Sequence, residues 1–282
     1  MDIREVKYGD LPLLAVKVSP SRYLFSPSDA GRMVSWQITM ADDSIRDIFF
    51  SEISQENSIG NVGGKVFFNV KSMPISGFQD LNVEDLDFEK SDNGRNFVIF
   101  TVKNIENLPY LPRISYKLFE LHFHLELALT NEGTLPIYWK PAIHFFVNLP
   151  WTEIPLGKHI AKGLAKKRLS IGDDMAVISS VKSSEKTSLE LLNDGAIGFS
   201  KLRDNKIWVG TSNEEEGLSF IFGKKTQKSV CVLRKTETND KIEVAFLSDL
   251  PTEDGSTVAN LQNYIPVLPQ KTETFSVEIS AY

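Results

Sequence analysis

The chain has 282 residues, of which 31 are Lys or Arg and 37 are Asp or Glu, for a net charge of −6. That acidic balance argues against nucleic acid or an anionic membrane as partner, because either requires a dense basic face. A hydrophobic fraction of 41%, with 18 phenylalanines, is enough for a large core and excludes a disordered chain. The single cysteine, Cys231, excludes an intrachain disulfide and a cysteine-ligated zinc cluster. At ~150 residues per domain the length allows one or two domains. No compositional shift or Pro/Ser-rich linker divides the chain, so a single domain over 1–282 is expected. The N-terminal segment is charged within its first few residues, and no run of about 18 apolar residues occurs. A soluble, cytoplasmic, globular protein is the expectation.

Taken in chain order, the first β-rich runs fall at Met33–Thr39, Asp47–Ser51, Lys65–Val70 and Asn96–Lys103. The clearest alternation runs from Leu118 to Thr130. Phe119, Leu121, Phe123, Leu125, Leu127 and Leu129 point one way, and Glu120, His122, His124 and Glu126 the other. The turn Asn131-Glu132-Gly133 follows, then an apolar strand at Ile143–Asn148. Leu156 to Leu169 breaks the pattern: Leu156, Ile160 and Leu164 recur at helical spacing, so a short helix is expected there. Further strands are expected at Ala176–Val181, Lys206–Gly210, Leu218–Phe222, Ser229–Arg234, Lys241–Leu247 and Thr274–Ser280. Turn signals such as Asn193-Asp194-Gly195 and Asp254-Gly255 punctuate them. Many short strands without alternating helices give an all-β antiparallel sandwich or barrel with few short helices.

The chemistry-bearing residues are sparse. His122 and His124 share a strand face with Glu120 and Glu126, a set that could ligate a divalent ion, although an outward polar stripe is the default for a half-buried strand. His144 sits in the apolar run Ala142-Ile143-His144-Phe145-Phe146-Val147-Asn148, where an imidazole is either a satisfied core group or a general acid or base. Lys158, His159, Lys162, Lys166, Lys167 and Arg168 form either a solvated helix face or a phosphate site. Cys231 reads as a small buried apolar residue. There is no nucleophile elbow, P-loop or dinucleotide fingerprint.

Three stretches in order resemble the aldose 1-epimerase, or galactose mutarotase-like, family. Asn61-Val62-Gly63-Gly64-Lys65-Val66-Phe67-Phe68 is similar to that family's GG-x-P-[ILV]-x-F-P segment without its prolines. Pro74-Ile75-Ser76-Gly77-Phe78-Gln79-Asp80 falls where the family has HGFAR. Leu127 to Gly133, followed by Ile143-His144-Phe145-Phe146-Val147-Asn148-Leu149, resembles its N-x-[GS] turn and H-[PS]-Y-F-N-L strand. Gly31 to Trp36 and Leu268 to Phe275 resemble its opening and closing segments.

The resemblance implies an antiparallel β-supersandwich with a concave face for a small-molecule sugar, a hexose or hexose phosphate. It implies interconversion of α and β anomers by ring opening, with no cofactor and no metal. A carboxylate takes the proton of the anomeric hydroxyl while an imidazole protonates the ring oxygen. His144 matches the family's acid. Asp249 is the carboxylate nearest the expected base position, with Glu253 as fallback. Ser76 stands where the family has a second histidine and Asp80 where it has an arginine, so both are expected at the substrate. Trp139, Phe145, Phe146 and Trp151 are the aromatic residues expected to stack on the pyranose. A noncatalytic sugar-binding protein of the same fold is the alternative. So is a hexose-6-phosphate 1-epimerase, which would need the Lys158–Arg168 cluster in the cleft.

Overall fold

The computed structural model describes residues 1–49, 63–68, 70–72, 79–81, 88–93, 96–102, 109–148, 158–172, 177–223, 230–236, 241–247 and 264–282. Among the described residues, twenty-five strands account for nearly all of the regular structure. The first eight are β1 Asp2–Tyr8, β2 Leu11–Val18, β3 Ser21–Ser26, β4 Arg32–Thr39, β5 Ile45–Phe49, β6 Gly63–Phe67, β7 Val70–Ser72 and β8 Gln79–Leu81. Next come β9 Phe88–Asn93, β10 Phe97–Val102, β11 Tyr110–Leu118, β12 His122–Asn131, β13 Ile137–Trp139, β14 Ala142–Asn148, β15 His159–Lys162 and β16 Ala165–Ile171. The rest are β17 Val177–Lys182, β18 Lys186–Ser188, β19 Ala196–Leu202, β20 Lys206–Thr211, β21 Gly217–Phe222, β22 Val230–Lys235, β23 Lys241–Leu247, β24 Ile265–Val267 and β25 Thr272–Ala281.

These strands form three antiparallel sheets. A 12-stranded sheet runs β1-β2-β3-β4-β5-β14-β23-β22-β19-β16-β17, with β6 bridging β14 and β4. A nine-stranded sheet runs β18-β15-β20-β21-β25-β12-β11-β10-β9, and a four-stranded one β24-β13-β7-β8. The cause is visible in the alternation. In β10 and β11, Val98, Phe100, Val102, Ile114, Tyr116 and Leu118 are buried while the strand residues between them are not. Their buried faces meet those of the 12-stranded sheet in one apolar cluster that contains residues from Leu14 to Ala281. Aromatic rings dominate it: Phe123 packs edge-on against Trp36, Phe49 and Phe145.

Polar staples join the sheets. The Tyr23 hydroxyl donates to the Phe119 carbonyl at 2.7 Å, and Ser21 donates to that of Glu120. Trp36 Nε1 donates to Ser21 Oγ at 3.0 Å. Burial pushes the Tyr23 phenol well above its ordinary pKa, so it stays a hydrogen-bond donor. The Asn131 turn is held the same way. The fully buried Asn131 amide donates to the carbonyls of Leu135 and Val267, each at 2.8 Å, and its oxygen accepts from Gly133 N at 3.0 Å.

Two expectations need correction. The long alternation from Leu118 spans a hairpin: Leu118 ends β11, Phe119 N bonds His122 O, and Leu121 is exposed. Its period-2 pattern continues through the turn by coincidence of composition. The helix expected over Leu156 to Leu169 is, in its described part, the strands β15 and β16. Gly163 separates them, and a Cβ there would meet the Lys206 carbonyl at 3.0 Å. Tertiary pairing of β15 with β20 and of β16 with β19 overrides the local spacing. Among the described residues, one 3-10 turn at Leu189–Asn193 is the helical element, and no helix is long and apolar enough to cross a membrane.

Candidate active site

On β14, Ile143, Phe145 and Val147 enter the core, which turns His144 and Phe146 to the opposite face of the 12-stranded sheet. On β23, Ile242, Val244 and Phe246 enter the same core, so Glu243 and Ala245 share the face of His144. The register pairs His144 with Ala245 and Phe146 with Glu243, making His144 and Glu243 diagonal neighbours. Across the next ladder Glu243 pairs with Arg234 of β22.

These three side chains form a linear array. His144 Nδ1 lies 2.6 Å from Glu243 Oε1. Arg234 donates to Glu243 Oε2 through Nε at 2.8 Å and approaches it with Nη2 at 2.6 Å. The Glu243 side chain is only 6% exposed, against 22% for His144 and 47% for Arg234. Burial pushes the Glu243 carboxyl upward. The hydrogen bond and charge of His144, with those of Arg234, outweigh that and hold it below the usual carboxylate range. An ionised carboxylate only accepts hydrogen bonds, so the proton on this contact belongs to Nδ1. Nε2 is therefore the ring atom left for chemistry: a base in the neutral imidazole, an acid in the imidazolium.

Neighbouring groups complete the face. The Phe67 ring meets the imidazole edge-on at 4.9 Å, and Lys65, opposite His144 on β6, carries its Nζ 4.8 Å from the Phe67 centroid. β6 can lie this close to β14 because residue 64 is glycine; a Cβ there would sit 2.7 Å from the Phe145 ring. Farther along the same face, Leu169, Ile171, Ala196, Val230, Val232 and Ala245 form a second apolar cluster.

The expected site residues are distributed unevenly. His144 and Phe146 are on this face, with Phe146 buried beside Glu243. Trp139 is not: it is fully buried in β13 and stacked on Phe68, so it offers no surface to a ligand, and Phe145 is likewise core. Asp80 belongs to β8 in the four-stranded sheet. Ser76, Trp151, Asp249 and Glu253 lie outside the described residues. His122 and His124 alternate with the core residues Phe123 and Leu125, on the outward side of the nine-stranded sheet. His122 stacks on Phe119 at 4.1 Å, and His124 stands between Lys117 and Glu278. Among the described residues no three His, Cys, Asp or Glu side chains group closely enough to hold a metal ion.

The basic cluster is divided. Lys162 belongs to β15 in the nine-stranded sheet, whereas Lys166, Lys167 and Arg168 belong to β16 in the 12-stranded one. β16 lies four strands from β14, roughly 19 Å at the usual strand spacing. His159 is a buried strand residue. Sequence reasoning missed Glu243 and Arg234. The one local signal was a carboxylate between Ile242 and Val244, a charge inside an otherwise apolar strand.

No family model matches the sequence, and no curated protein does. Solved structures do. A galactose mutarotase related enzyme from Lactobacillus acidophilus superposes with a TM-score of 0.75 at 13% identity, covering 96% of this chain and 97% of its own. A galactose mutarotase-like protein from Lactobacillus casei gives 0.71 at 12% identity, covering 96% and 100%. The fold is galactose mutarotase-like. A galactose mutarotase-like protein from Clostridium acetobutylicum gives 0.70 at 10% identity, with 99% and 98% covered. These superpositions cover 96–99% of this chain, at identities too low to carry residue roles across.

Proposed function

We propose that the protein acts on the hemiacetal of a hexose as an aldose 1-epimerase, with His144 as its proton donor. The observation that carries this reading is the His144–Glu243–Arg234 array on one sheet face. His144 and Arg234 together keep Glu243 ionised, Glu243 fixes the tautomer and orientation of His144, and Nε2 is presented to the ligand. That is the positioning an imidazole needs to give a proton and take it back.

In the proposed cycle the protonated His144 gives its Nε2 proton to the ring oxygen as the O5–C1 bond breaks. A carboxylate takes the proton of the anomeric hydroxyl. Rotation about C1–C2 presents the other carbonyl face, and closure returns both protons. Glu243 is not that second carboxylate, because its 2.6 Å contact with His144 leaves no room for a sugar ring between them. The reading gives the base role to Asp249, with Glu253 as fallback. Phe67, half-buried beside the imidazole, supplies apolar surface to the ring.

The test is the rate of anomer exchange for α-glucose, α-galactose and glucose 6-phosphate, followed by polarimetry or NMR. Acceleration is expected, falling by about 10²–10⁴ in His144→Ala. Full activity in that variant would remove His144 from the mechanism. One observation favours a second reading, sugar binding without turnover: Glu243 is fully engaged, so His144 is the sole proton-transfer group in the array. Measurable binding without acceleration by any of the three sugars would select it.

A further inference from the structure

A pocket of about 520 Å³ lies on the nine-stranded sheet and shares no residue with the His144 face. Its floor is Trp208 of β20, half-buried, on the side of the strand opposite the core residues Ile207 and Val209. The indole is held flat by two glycines, Gly210 and Gly217, paired across β20 and β21. A Cβ on either would collide with the benzo ring of Trp208. One face of the ring therefore rests on bare backbone, and the other is left to the pocket.

The walls are charged but of mixed sign. Glu214 bridges Lys162 and Lys186, each at 2.6 Å, which fixes one side. Glu185, Asp204, Lys206, Glu215, Leu164 and Tyr282 line the rest, with Glu185 acting electrostatically on Lys162. A charged ligand would call for walls of one sign. A flat aromatic platform edged by exposed donors and acceptors suits a ring with apolar C–H faces and a rim of hydroxyls, each both donor and acceptor.

We infer that this pocket is a second carbohydrate site, in which a neutral pyranose stacks on Trp208 and its hydroxyls bond Asp204, Glu185 and Lys206. The ring could come from a free sugar or from a glycan chain. Because its residues are separate, the site is independent of catalysis at His144.

The experiment follows the indole N–H resonance of Trp208, assigned by its loss in Trp208→Phe, during titration with methyl α- and β-glucopyranoside and galactopyranoside. These glycosides have no free anomeric hydroxyl and cannot be mutarotation substrates. A saturable shift is expected with at least one, weakened about tenfold or more in Trp208→Ala and unchanged in His144→Ala. Should Trp208→Ala fail to fold, Asp204→Asn combined with Lys206→Ala serves, with the same weakening expected. Maltohexaose and cellohexaose distinguish the sources: tighter binding of either marks a glycan chain, equal binding a free sugar. No saturable shift with any glycoside, or a shift with tetramethylammonium alone, would overturn the site. Loss of the shift in His144→Ala would overturn its independence. Failure of anomer exchange leaves this result untouched.

Discussion

Glu243 decides the character of the candidate active site. It is a nearly buried carboxylate, and its two partners each hold one of its oxygens. Replacing it by Gln keeps the shape but substitutes an amide that can donate to Nδ1, which allows the proton to move to Nε2 in the neutral ring. Glu243→Gln is therefore expected to lower the rate of anomer exchange by about 10²–10⁴ while leaving the fold intact by circular dichroism. The same carboxyl imposes a pH dependence on stability. Its pKa is depressed in the folded protein, so its contribution is complete above the ordinary glutamate range and is lost as pH falls through the lower folded value. The thermal midpoint of the native protein should thus fall more steeply on acidification than that of Glu243→Gln. Parallel curves would mean that the array adds nothing to stability.

Strands and turns carry a different set of consequences. Asn131 satisfies two carbonyls from segments far apart in the chain, Leu135 and Val267, and its removal leaves both without that donor. Asn131→Ala should cost about 1–3 kcal/mol per carbonyl left unsatisfied, read as a lowered urea midpoint with an unchanged slope. Gly64→Val is a sharper test of the β6–β14 packing. Its Cβ would enter the Phe145 ring, so a loss of about 1–3 kcal/mol is expected. Because β14 also carries His144, anomer exchange should fall in the same variant. The Asn131 turn and the apolar strand before it were legible in the sequence, because side-chain alternation and turn chemistry are local. β15 and β16 were not. Ile160 and Leu164 fit a helical period, and only pairing with β20 and β19 makes them strand residues.

Across the molecule, the sheets are assembled from sequence-distant strands: His122 of β12 pairs with Ser280 of β25, and Ala142 of β14 with Leu247 of β23. Closing such long loops before contacts repay the entropy makes folding slow, on the order of milliseconds to seconds or longer. Refolding followed by tryptophan fluorescence should fall in that range, since Trp36 and Trp139 are fully buried in the core. One apolar cluster joins the two large sheets, so fluorescence and far-ultraviolet dichroism should report a single unfolding transition. Separate transitions would show that the sheets unfold independently.

The sequence by itself determined the all-β class and the positions of β10, β14, β17, β20 to β23 and β25, and it made His144 a candidate, since each rests on a period or a residue type read within a few positions. It also led, through the resemblance of its ordered segments, to the mutarotase-like fold. Only the tertiary structure decided the partners of His144. Glu243 and Arg234 reach it through the register of three strands, and register depends on which edges meet rather than on any local pattern. The same cause moved Trp139 into the core and divided the basic cluster between two sheets. Alternation says that a residue faces one side of its strand, but which neighbour covers that side is settled by the packing of the whole chain.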